Sequence, residues 1–375
     1  MRRTIRCLAA VILGIAGLAM PVRAQQAASA KPDFATQEGD FIIRDFHFRS
    51  GQTLPELRLH YTTLGRQERD ASGRTTNAVL ILHGTSGSGK QFLAEQFASV
   101  LFGAGQLLDV SRYYIILPDG IGHGKSSKPS DGLHAHFPQY DYADMVAAQH
   151  ALVRDGLGVN HLRLVMGTSM GCMHSWMWGE AYPDEMAALL PLACLPVEIA
   201  GRNRLWRKAL MDAIRSDPAW NSGEYTTQPV DGLRTAMDLF LIAGSNPIAM
   251  QKSLPTRDAA DHYFEGYMNA HLNQAIQKGT LDANDLWYAF NASRDYDPSA
   301  DLEKIKVPVM FINSADDFIN PPELEIAERE IRRVRRGKFV LIPASEQTHG
   351  HGTHTWAALW QQYLRELLQE SRPGR

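Results

Sequence analysis

Short, continuously apolar segments alternate with amphipathic segments along most of the chain. The apolar segments predict strands at residues 78–83, 113–117, 162–166, 188–195, 307–313 and 339–342. The amphipathic segments predict helices from Gln91 onward and at residues 170–182, 323–335 and 353–369. Strands that are apolar on both faces are typical of a parallel sheet with helices on both sides. The pattern predicts an α/β fold with a mostly parallel sheet, preceded by two strands at 41–48 and 57–63.

This alternation stops after Pro196 and resumes beyond Pro298. The segment between them is rich in Trp, Met, Tyr and Asn, shows helical periodicity and contains no clear strand. Because strands are predicted on both sides of it, we expect one α/β core, residues 25–195 and 299–375, with residues 196–298 inserted as a helical lid. Two independent domains are the alternative. Within the core, the polar residues 25–39 are expected to form a loose leader.

The first 24 residues have the pattern of a secretory signal peptide. Three arginines precede an uncharged apolar run at residues 7–20, and Val22 and Ala24 place small side chains before a cleavage site at Gln25. A helix needs about 20 residues to cross a bilayer, and this run is shorter. We therefore expect a periplasmic or secreted protein that has no membrane span after cleavage.

Charge and cysteine content narrow the possible partners and the redox chemistry. The chain carries 38 Lys and Arg against 41 Asp and Glu, a net charge of −3, with no basic block. It therefore lacks the electrostatic footprint of a protein that binds nucleic acid or an anionic membrane, and a small-molecule substrate is expected. Once Cys7 leaves with the signal peptide, Cys172 and Cys194 remain. Their apolar surroundings suggest buried thiols rather than a disulfide, although export would permit a disulfide.

The segment Gly167-Thr168-Ser169-Met170-Gly171 fits Gly-x-Ser-x-Gly between a predicted strand and a predicted helix. That context is required for a nucleophile elbow, in which the glycines allow a sharp reversal with the serine at its apex. Ser169 is the predicted nucleophile, and a turn that only begins a helix is the alternative. Two backbone N–H groups are predicted to hold an oxyanion, that of Met170 and that of Thr85 in the glycine-rich loop after strand 78–83.

A serine nucleophile needs a base and an orienting acid from elsewhere in the chain. Asp317 follows the predicted strand 307–313, and Asp316 is its competitor. His351, which is flanked by glycines after the last predicted strand, is the predicted base. His349 is second choice, and His354 is assigned to the final helix.

Two other motifs are considered and set aside. The three histidines at 349, 351 and 354 have a spacing found among zinc ligands, but the acid expected beside the third is missing, so no metal is predicted. Residues 84–90 match the spacing of a phosphate-binding loop, but Gln91 stands where that motif needs Ser or Thr to hold Mg²⁺. No cofactor is predicted.

These residues together resemble the α/β-hydrolase fold and, within it, the homoserine O-acetyltransferase-like family. Besides the elbow, the shared landmarks are Phe137-Pro138, residues 144–149, Gly156-Leu157-Gly158, Tyr182-Pro183-Asp184, Ala213-Ile214, Asp217-Pro218-Ala219-Trp220 and Gly232-Leu233. The resemblance implies that Ser169, Asp317 and His351 form a catalytic triad. In this family the helical lid often contributes a homodimer contact, so the resemblance also implies a homodimer contact through residues 196–298.

The chain departs from the homoserine enzymes in its lid. In those enzymes an Arg that holds the substrate carboxylate follows the Gly-Leu landmark, with a Tyr further on, and here the two positions are Met237 and Gly244. Cys172 also replaces a glycine common after the elbow. Without the guanidinium an amino-acid substrate loses its bidentate anchor. An exported enzyme would also lack the cytoplasmic pool of acetyl-CoA.

The sequence therefore predicts an exported carboxylic-ester hydrolase that forms an acyl-enzyme on Ser169. An O-acyltransferase that passes the acyl group to an alcohol is the alternative, and the choice between the two depends on how well the lid excludes water. A catalytically silent binding protein on the same fold is a third hypothesis, which the presence of all three triad residues disfavours.

Overall fold

The computed structural model describes residues 34–372, and the predicted signal peptide, including Cys7, lies outside the described residues. The α/β prediction is confirmed by one eight-stranded sheet. Its strands are β1 Thr36–His47, β2 Thr53–Leu64, β3 Ala78–Leu82, β4 Tyr114–Pro118, β5 Leu164–Thr168, β6 Leu189–Leu192, β7 Val309–Ser314 and β8 Gly337–Ile342. The predicted strands of the alternating region lie within a few residues of the observed ones.

The strand order is β1-β2-β4-β3-β5-β6-β7-β8. β2 runs antiparallel to both of its neighbours, β1 and β4, and all other neighbouring strands are parallel. Because parallel strands end at the same edge of a sheet, the residues that follow β3, β5 and β7 gather there. This topology brings Thr85, Ser169 and Asp317 to one edge.

Helices cover both faces of the sheet and build the segment between β6 and β7. Within the described residues they are α1 Glu95–Leu101, α2 Tyr142–Ala151, α3 Met170–Ala181, α4 Gly201–Ser216, α5 Val230–Gly244, α6 Pro247–Ser253, α7 Arg257–Gln277, α8 Ala283–Asn291, α9 Ile326–Glu330 and α10 Gln361–Glu370. None of these helices combines the length and the apolar character needed to cross a bilayer.

Strand β3 shows how the two faces are buried. Leu80 and Leu82 belong to a hydrophobic cluster that includes side chains of α2 and α3. Val79 and Ile81, the alternate residues, belong to a second cluster with side chains of α1 and α10. Successive side chains of a strand point to opposite faces, so a strand buried on both sides is apolar throughout.

The prediction of a loose leader over residues 25–39 is wrong for its last residues. β1 begins at Thr36, which lies opposite Leu64 of β2. The polar residues of this segment belong to an edge strand, where Glu38 forms ion pairs with Lys90 at 2.6 Å and Lys125 at 2.7 Å. The rest of the predicted leader, residues 25–33, lies outside the described residues.

Two predicted helices are shorter than expected. The segment 323–335 contains only the short helix α9 between 3₁₀ turns, and Glu325 adopts a left-handed φ of 51° directly before α9. The predicted final helix begins at Gln361 rather than at residue 353. The residues before it form two 3₁₀ turns. The first of them carries His351 and also His354, so the assignment of His354 to the final helix is wrong.

The segment between β6 and β7 is built from α4 to α8 and, within the described chain, contains no strand. Its apolar side chains form a separate hydrophobic cluster that includes Trp206, Leu210 and Leu233. Helices α4 and α5 cross closely because a β-carbon at Gly232 would stand only 2.7 Å from the carbonyl oxygen of Ala213. A small residue at the crossing point thus permits tight helix packing.

The domain division and the oligomeric state stay predictions. The lid helices carry exposed apolar side chains at Leu205, Ile242 and Ile248. Single exposed apolar residues are common on protein surfaces, so these do not by themselves define an interface. A homodimer contact through residues 196–298 is therefore still an expectation.

The expectation of two separate buried thiols is wrong. Cys172 of α3 and Cys194, just after β6, form a disulfide with their Cα atoms 5.8 Å apart. Both residues are fully buried. Pairing of β5 with β6 places the end of β6 beside the helix that follows β5, and the resulting Cα separation is in the usual range for disulfides. The sequence separation alone contains no sign of this proximity.

Candidate active site

Ser169 lies at a strained turn between β5 and α3. Its φ of 55° and ψ of −112° are rare for a residue with a side chain. Close backbone packing enforces the turn, because a β-carbon at Gly167 would overlap the carbonyl group of Gly171, and one at Gly171 would overlap that of Leu82. The two glycines of the motif therefore allow β3, β5 and α3 to approach closely enough to hold Ser169 in this conformation.

The structure brings Ser169, His351 and Asp317 into one chain of hydrogen bonds. His351 Nε2 lies 2.8 Å from Ser169 Oγ, and His351 Nδ1 lies 2.9 Å from Asp317 Oδ2. Since a carboxylate can only accept, we assign the ring proton to Nδ1, which leaves Nε2 to accept from the serine hydroxyl. A serine hydroxyl bonded in this way to an imidazole nitrogen can transfer its proton as the oxygen attacks an electrophile.

Asp317 is 2% exposed and is held by several donors besides His351. Its carboxylate accepts from the backbone N–H of Ile319 at 2.8 Å and from the side-chain amide of Asn320 at 2.9 Å. Burial acts to raise the pKa of Asp317, but attraction to His351 and these hydrogen bonds outweigh it and keep the pKa below its ordinary value. Asp317 is therefore ionised at neutral pH and can orient the imidazole.

Asp316, the competing acid, lies in the same loop but bonds to other groups. Its carboxylate accepts from the side-chain amide of Asn246 at 2.7 Å, the hydroxyl of Thr348 at 2.8 Å and the N–H of Gly350 at 3.1 Å. Thr348 and Gly350 belong to the loop that leads to His351, and Asn246 caps α6 of the lid. Asp316 therefore fastens the histidine loop to the lid.

The other two histidines of the cluster lie apart from the serine hydroxyl. His349 stacks on Trp356 with ring centroids 4.0 Å apart. His354 lies edge-on to His351, with centroids 5.2 Å apart, and burial lowers the pKa of His354 to about 3. Among the described residues, no group of three or more His, Cys, Asp or Glu side chains is placed to hold a metal ion.

The loop after β3 presents Thr85 beside Ser169. A β-carbon at Gly84 would stand 3.3 Å from the β-carbon of Ser169, so the loop packs directly on the elbow. The carbonyl of Gly84 accepts from His83 Nδ1 at 2.8 Å and from the N–H of Gly87 at 3.0 Å. Because C=O and N–H point in opposite directions in a trans peptide, these bonds fix the direction of the Thr85 N–H. Met170 begins α3, and its N–H has no partner within the helix.

Residues 84–90 have the spacing of a phosphate-binding loop, but their N–H and ammonium groups are not available to bind a phosphate. The N–H of Gly89 donates to the carboxylate of Asp119 at 2.8 Å. Lys90 pairs with Glu38 at 2.6 Å. Two groups that would have to face a phosphate are thus engaged by carboxylates, and the loop instead serves the elbow.

Ser169 and His351 line a cavity of about 410 Å³. Trp206, Phe240 and Phe290 of the lid contribute to its wall. A larger cavity of about 1200 Å³ is lined by Asp317 and by lid residues, but not by Ser169. The smaller cavity is the one that a molecule must enter to reach the serine hydroxyl.

Two residues of this site are absent from the sequence-based prediction. His83 holds the loop that carries Thr85, and Arg207 of α4 lines the cavity. A signal for Arg207 exists in the sequence, because it lies at helical spacing from Leu210 and Ile214 and so occupies an apolar face. A charged residue within an apolar stripe indicates a role other than packing.

Comparison with known proteins agrees with this architecture. The chain matches the family model of the alpha/beta hydrolase fold over residues 77–346. It is 30% identical to a homoserine O-acetyltransferase of Geotalea daltonii over 339 residues, covering 82% of this chain and 90% of that protein. A probable acyltransferase of Methanothermobacter thermautotrophicus is 28% identical over 291 residues, covering 76% and 84%. The fold is similar to that of an acetylester hydrolase from Corynebacterium glutamicum, with a TM-score of 0.75 and 21% identity over 89% of this chain and 96% of that one.

Buried histidines predict how stability depends on pH. Burial lowers the pKa of His83 and His161 to about 4, that of His123 and His354 to about 3, and that of His174 well below its ordinary value of 6.5. As the pH falls below 6.5 the unfolded chain binds protons that the folded chain does not, so the free energy of unfolding decreases. We expect stability to fall between pH 6.5 and about 4, as measured by denaturant unfolding across this range.

Carboxyl groups with a raised pKa act in the opposite direction, whereas those with a lowered pKa, such as Asp317, act in the same direction as the histidines. Burial raises the pKa of Glu180 to about 8, so its contribution to stability is lost as the pH rises. The variant His161→Gln should show a smaller loss of stability at acidic pH than the wild type. His47→Gln, which changes an exposed histidine, should leave the profile unchanged. A wild-type protein more stable at pH 5 than at pH 6.5 would contradict this prediction.

Proposed function

The chain belongs to the α/β-hydrolase fold family and to its homoserine O-acetyltransferase-like branch, and we propose that it is a carboxylic-ester hydrolase acting through Ser169. The family makes the protein a hydrolase or an acyltransferase. One observation carries the finer proposal: the Ser169 hydroxyl is bonded to His351 Nε2 at 2.8 Å, with the buried Asp317 behind the imidazole, and it faces a cavity.

The reaction follows from these bonds. Ser169 Oγ attacks the ester carbonyl carbon while its proton passes to His351 Nε2, and Asp317 stabilises the resulting imidazolium. His351 then gives the proton to the departing alcohol oxygen, the ester C–O bond breaks, and the acyl group remains on the serine. Water attacks the acyl-enzyme with His351 again as base, which releases the carboxylic acid and restores the serine.

We assign the oxyanion donors to the N–H groups of Thr85 and Met170. The fixed Gly84 carbonyl supports the orientation of the first, and the start of α3 supports the second. Such donors act where negative charge develops on the former carbonyl oxygen. Because burial lowers the pKa of His83 to about 4, His83 is neutral at physiological pH and holds the loop without adding charge.

An acyltransferase is the second candidate, since the chain is 30% identical to a homoserine O-acetyltransferase. The acyl-enzyme step is the same for both functions. Helix α5, fully described, contributes Phe240 to the cavity wall and no charged side chain, so it does not supply the guanidinium that the resemblance to the homoserine enzymes leads one to expect on this helix.

The nucleophile is tested with a fluorophosphonate probe, which labels activated serines. Ser169→Ala should abolish labelling, and Asp317→Asn should slow labelling about 100-fold or more, because the histidine loses its orienting partner. Labelling rates are measured by gel fluorescence against time. The matched control is Asp184→Asn, which removes an exposed partner of Lys306 and should leave the rate unchanged. Equal labelling of the wild type and Ser169→Ala would eliminate the proposed nucleophile.

Hydrolysis and acyl transfer are separated by their need for an acceptor. We expect nitrophenol release from 4-nitrophenyl acetate at a steady rate without added alcohol, because water reaches the acyl-enzyme. A single burst that becomes multiple turnovers only when an alcohol is added would favour the acyltransferase. Ser169→Ala serves as the blank for spontaneous hydrolysis.

We also propose that the protein is exported. Its signal-like first 24 residues support this, as does the disulfide between Cys172 and Cys194, since disulfides persist in oxidising compartments. Protein recovered from outside the cytoplasm should begin at Gln25 when its N-terminus is sequenced. Recovery of the full chain from the cytoplasm alone would refute export without affecting the proposed chemistry.

A further inference from the structure

Arg207 of α4 is a buried cation on the wall of the cavity that contains Ser169. The residue is 2% exposed. Its Nε donates to the side-chain oxygen of Asn203 at 2.9 Å, and its Nη1 donates to the hydroxyl of Ser293 at 3.4 Å. The ring centroids of Trp206 and Phe290 lie 5.1 and 5.5 Å from the guanidinium carbon. The hydroxyl of Tyr142, whose pKa is raised by burial, also attracts the guanidinium, and all of these neighbours are neutral.

No carboxylate of residues 34–372 forms an ion pair with this guanidinium. The nearby charged group is another cation, Arg204, which repels it. Of the described residues that line the cavity, Arg207 alone carries a permanent charge, because a guanidinium stays protonated in proteins. Buried charges are normally paired, since the loss of hydration is otherwise not compensated. The positive charge at Arg207 is therefore balanced by no group of the described chain.

A donor beside this guanidinium lacks an acceptor. Trp206 lines the same cavity, and its buried indole N–H has no hydrogen-bond acceptor in the described part of the chain. Buried donors are almost always satisfied, so an unsatisfied donor in a cavity wall points to a ligand that supplies the acceptor. Two neighbouring residues of α4 thus present an unpaired charge and an unsatisfied donor to the cavity that contains the serine.

On the basis of the proposed ester hydrolysis, we propose that Arg207 is a specificity-determining residue that binds a carboxylate group of the substrate. The ester carbonyl would lie at Ser169 while a carboxylate elsewhere in the same molecule pairs with the guanidinium. The carboxylate belongs either to the acyl part or to the alcohol part of the ester. Its planar pair of oxygens matches the fork of N–H groups that a guanidinium presents.

The character of the cavity favours a monovalent anion on an otherwise apolar molecule. Phe240, Phe290 and Ile319 form apolar parts of the wall. One guanidinium balances one negative charge, whereas a phosphate dianion would leave a second charge unpaired in the same buried space. The volume of about 410 Å³ is near the lower end for small-molecule sites, which favours a small ester.

The first experiment compares charged and neutral esters of matched shape. For the acyl side these are 4-nitrophenyl hemisuccinate and its methyl ester, and for the alcohol side O-acetylmandelate and its methyl ester. In the wild type we expect a higher kcat/KM for the charged member of one pair. Arg207→Met should lower kcat/KM for that member about 10- to 100-fold, as expected for a lost charge-assisted hydrogen bond, and should change the neutral member little. Arg207→Lys should retain part of the preference.

The matched control is Lys208→Met on the same helix. Lys208 is exposed and pairs with Asp212, so its loss removes a positive charge of α4 without touching the cavity. Its preference for the charged ester should equal that of the wild type. Fluorophosphonate labelling of Arg207→Met shows whether the variant retains a folded site.

A binding measurement keeps the inference separate from catalysis. In the Ser169→Ala background, calorimetry should show that Arg207→Met weakens binding of the charged ester at least about tenfold and leaves that of its methyl ester unchanged. Binding can be measured even if the protein hydrolyses no ester. A lack of hydrolysis would overturn the proposed function but not the assignment of Arg207.

Three outcomes would overturn the assignment. An equal loss for charged and neutral esters would show that Arg207 only supports the fold of the lid. No preference for either charged ester in the wild type, together with unchanged binding in Arg207→Met, would exclude a carboxylate site. Inhibition of the wild type by inorganic phosphate but not by succinate, abolished in Arg207→Met, would assign the guanidinium to a phosphate.

Discussion

The crossing of β3, β5 and α3 is the contact on which the site depends. At Gly167 and Gly171 the backbones approach so closely that no side chain fits between them. Ser169 is held there in a conformation that costs on the order of 1–3 kcal/mol, and the strain is offset by the hydrophobic clusters on both faces of the sheet. The remaining groups reach the serine from loops, which adjust more easily than the strands. The packing of the sheet and α3 thus sets the position of the nucleophile, whereas the acid and the base reach it from loops.

Two adjacent aspartates in the loop after β7 both position His351, but through different contacts. Asp317 bonds to the imidazole, whereas Asp316 bonds to the loop that leads to it and to Asn246 of the lid. A β-carbon at Gly350 would crowd the carbonyl of Ser245, so the lid lies directly against the histidine loop. The orientation of His351 is therefore coupled to the seating of α6.

Much of the core and the serine motif could be predicted, because both depend on local pattern. Buried parallel strands are apolar throughout, and a glycine pair around a serine between strand and helix is typical of a nucleophile elbow. The parts that escaped prediction depend on distant contacts. The disulfide of Cys172 requires the end of β6, and the start of β1 requires the pairing of Thr36 with Leu64 of β2. Asp317 is the predicted acid, but only the position of the imidazole separates it from Asp316. No window of sequence contains both partners of these contacts.

The chemistry of the site and its selectivity come from different parts of the fold. Ser169 and His351 come from the sheet and the loops at its edge, whereas Arg207 and Phe240 come from lid helices that form their own hydrophobic cluster. A side chain on such a helix can change charge without disturbing the elbow. An identity of 30% to an acetyltransferase is therefore compatible with a different substrate. A buried charge has its largest effect where water is excluded, so one residue of α4 can outweigh the apolar wall in deciding which ester is bound.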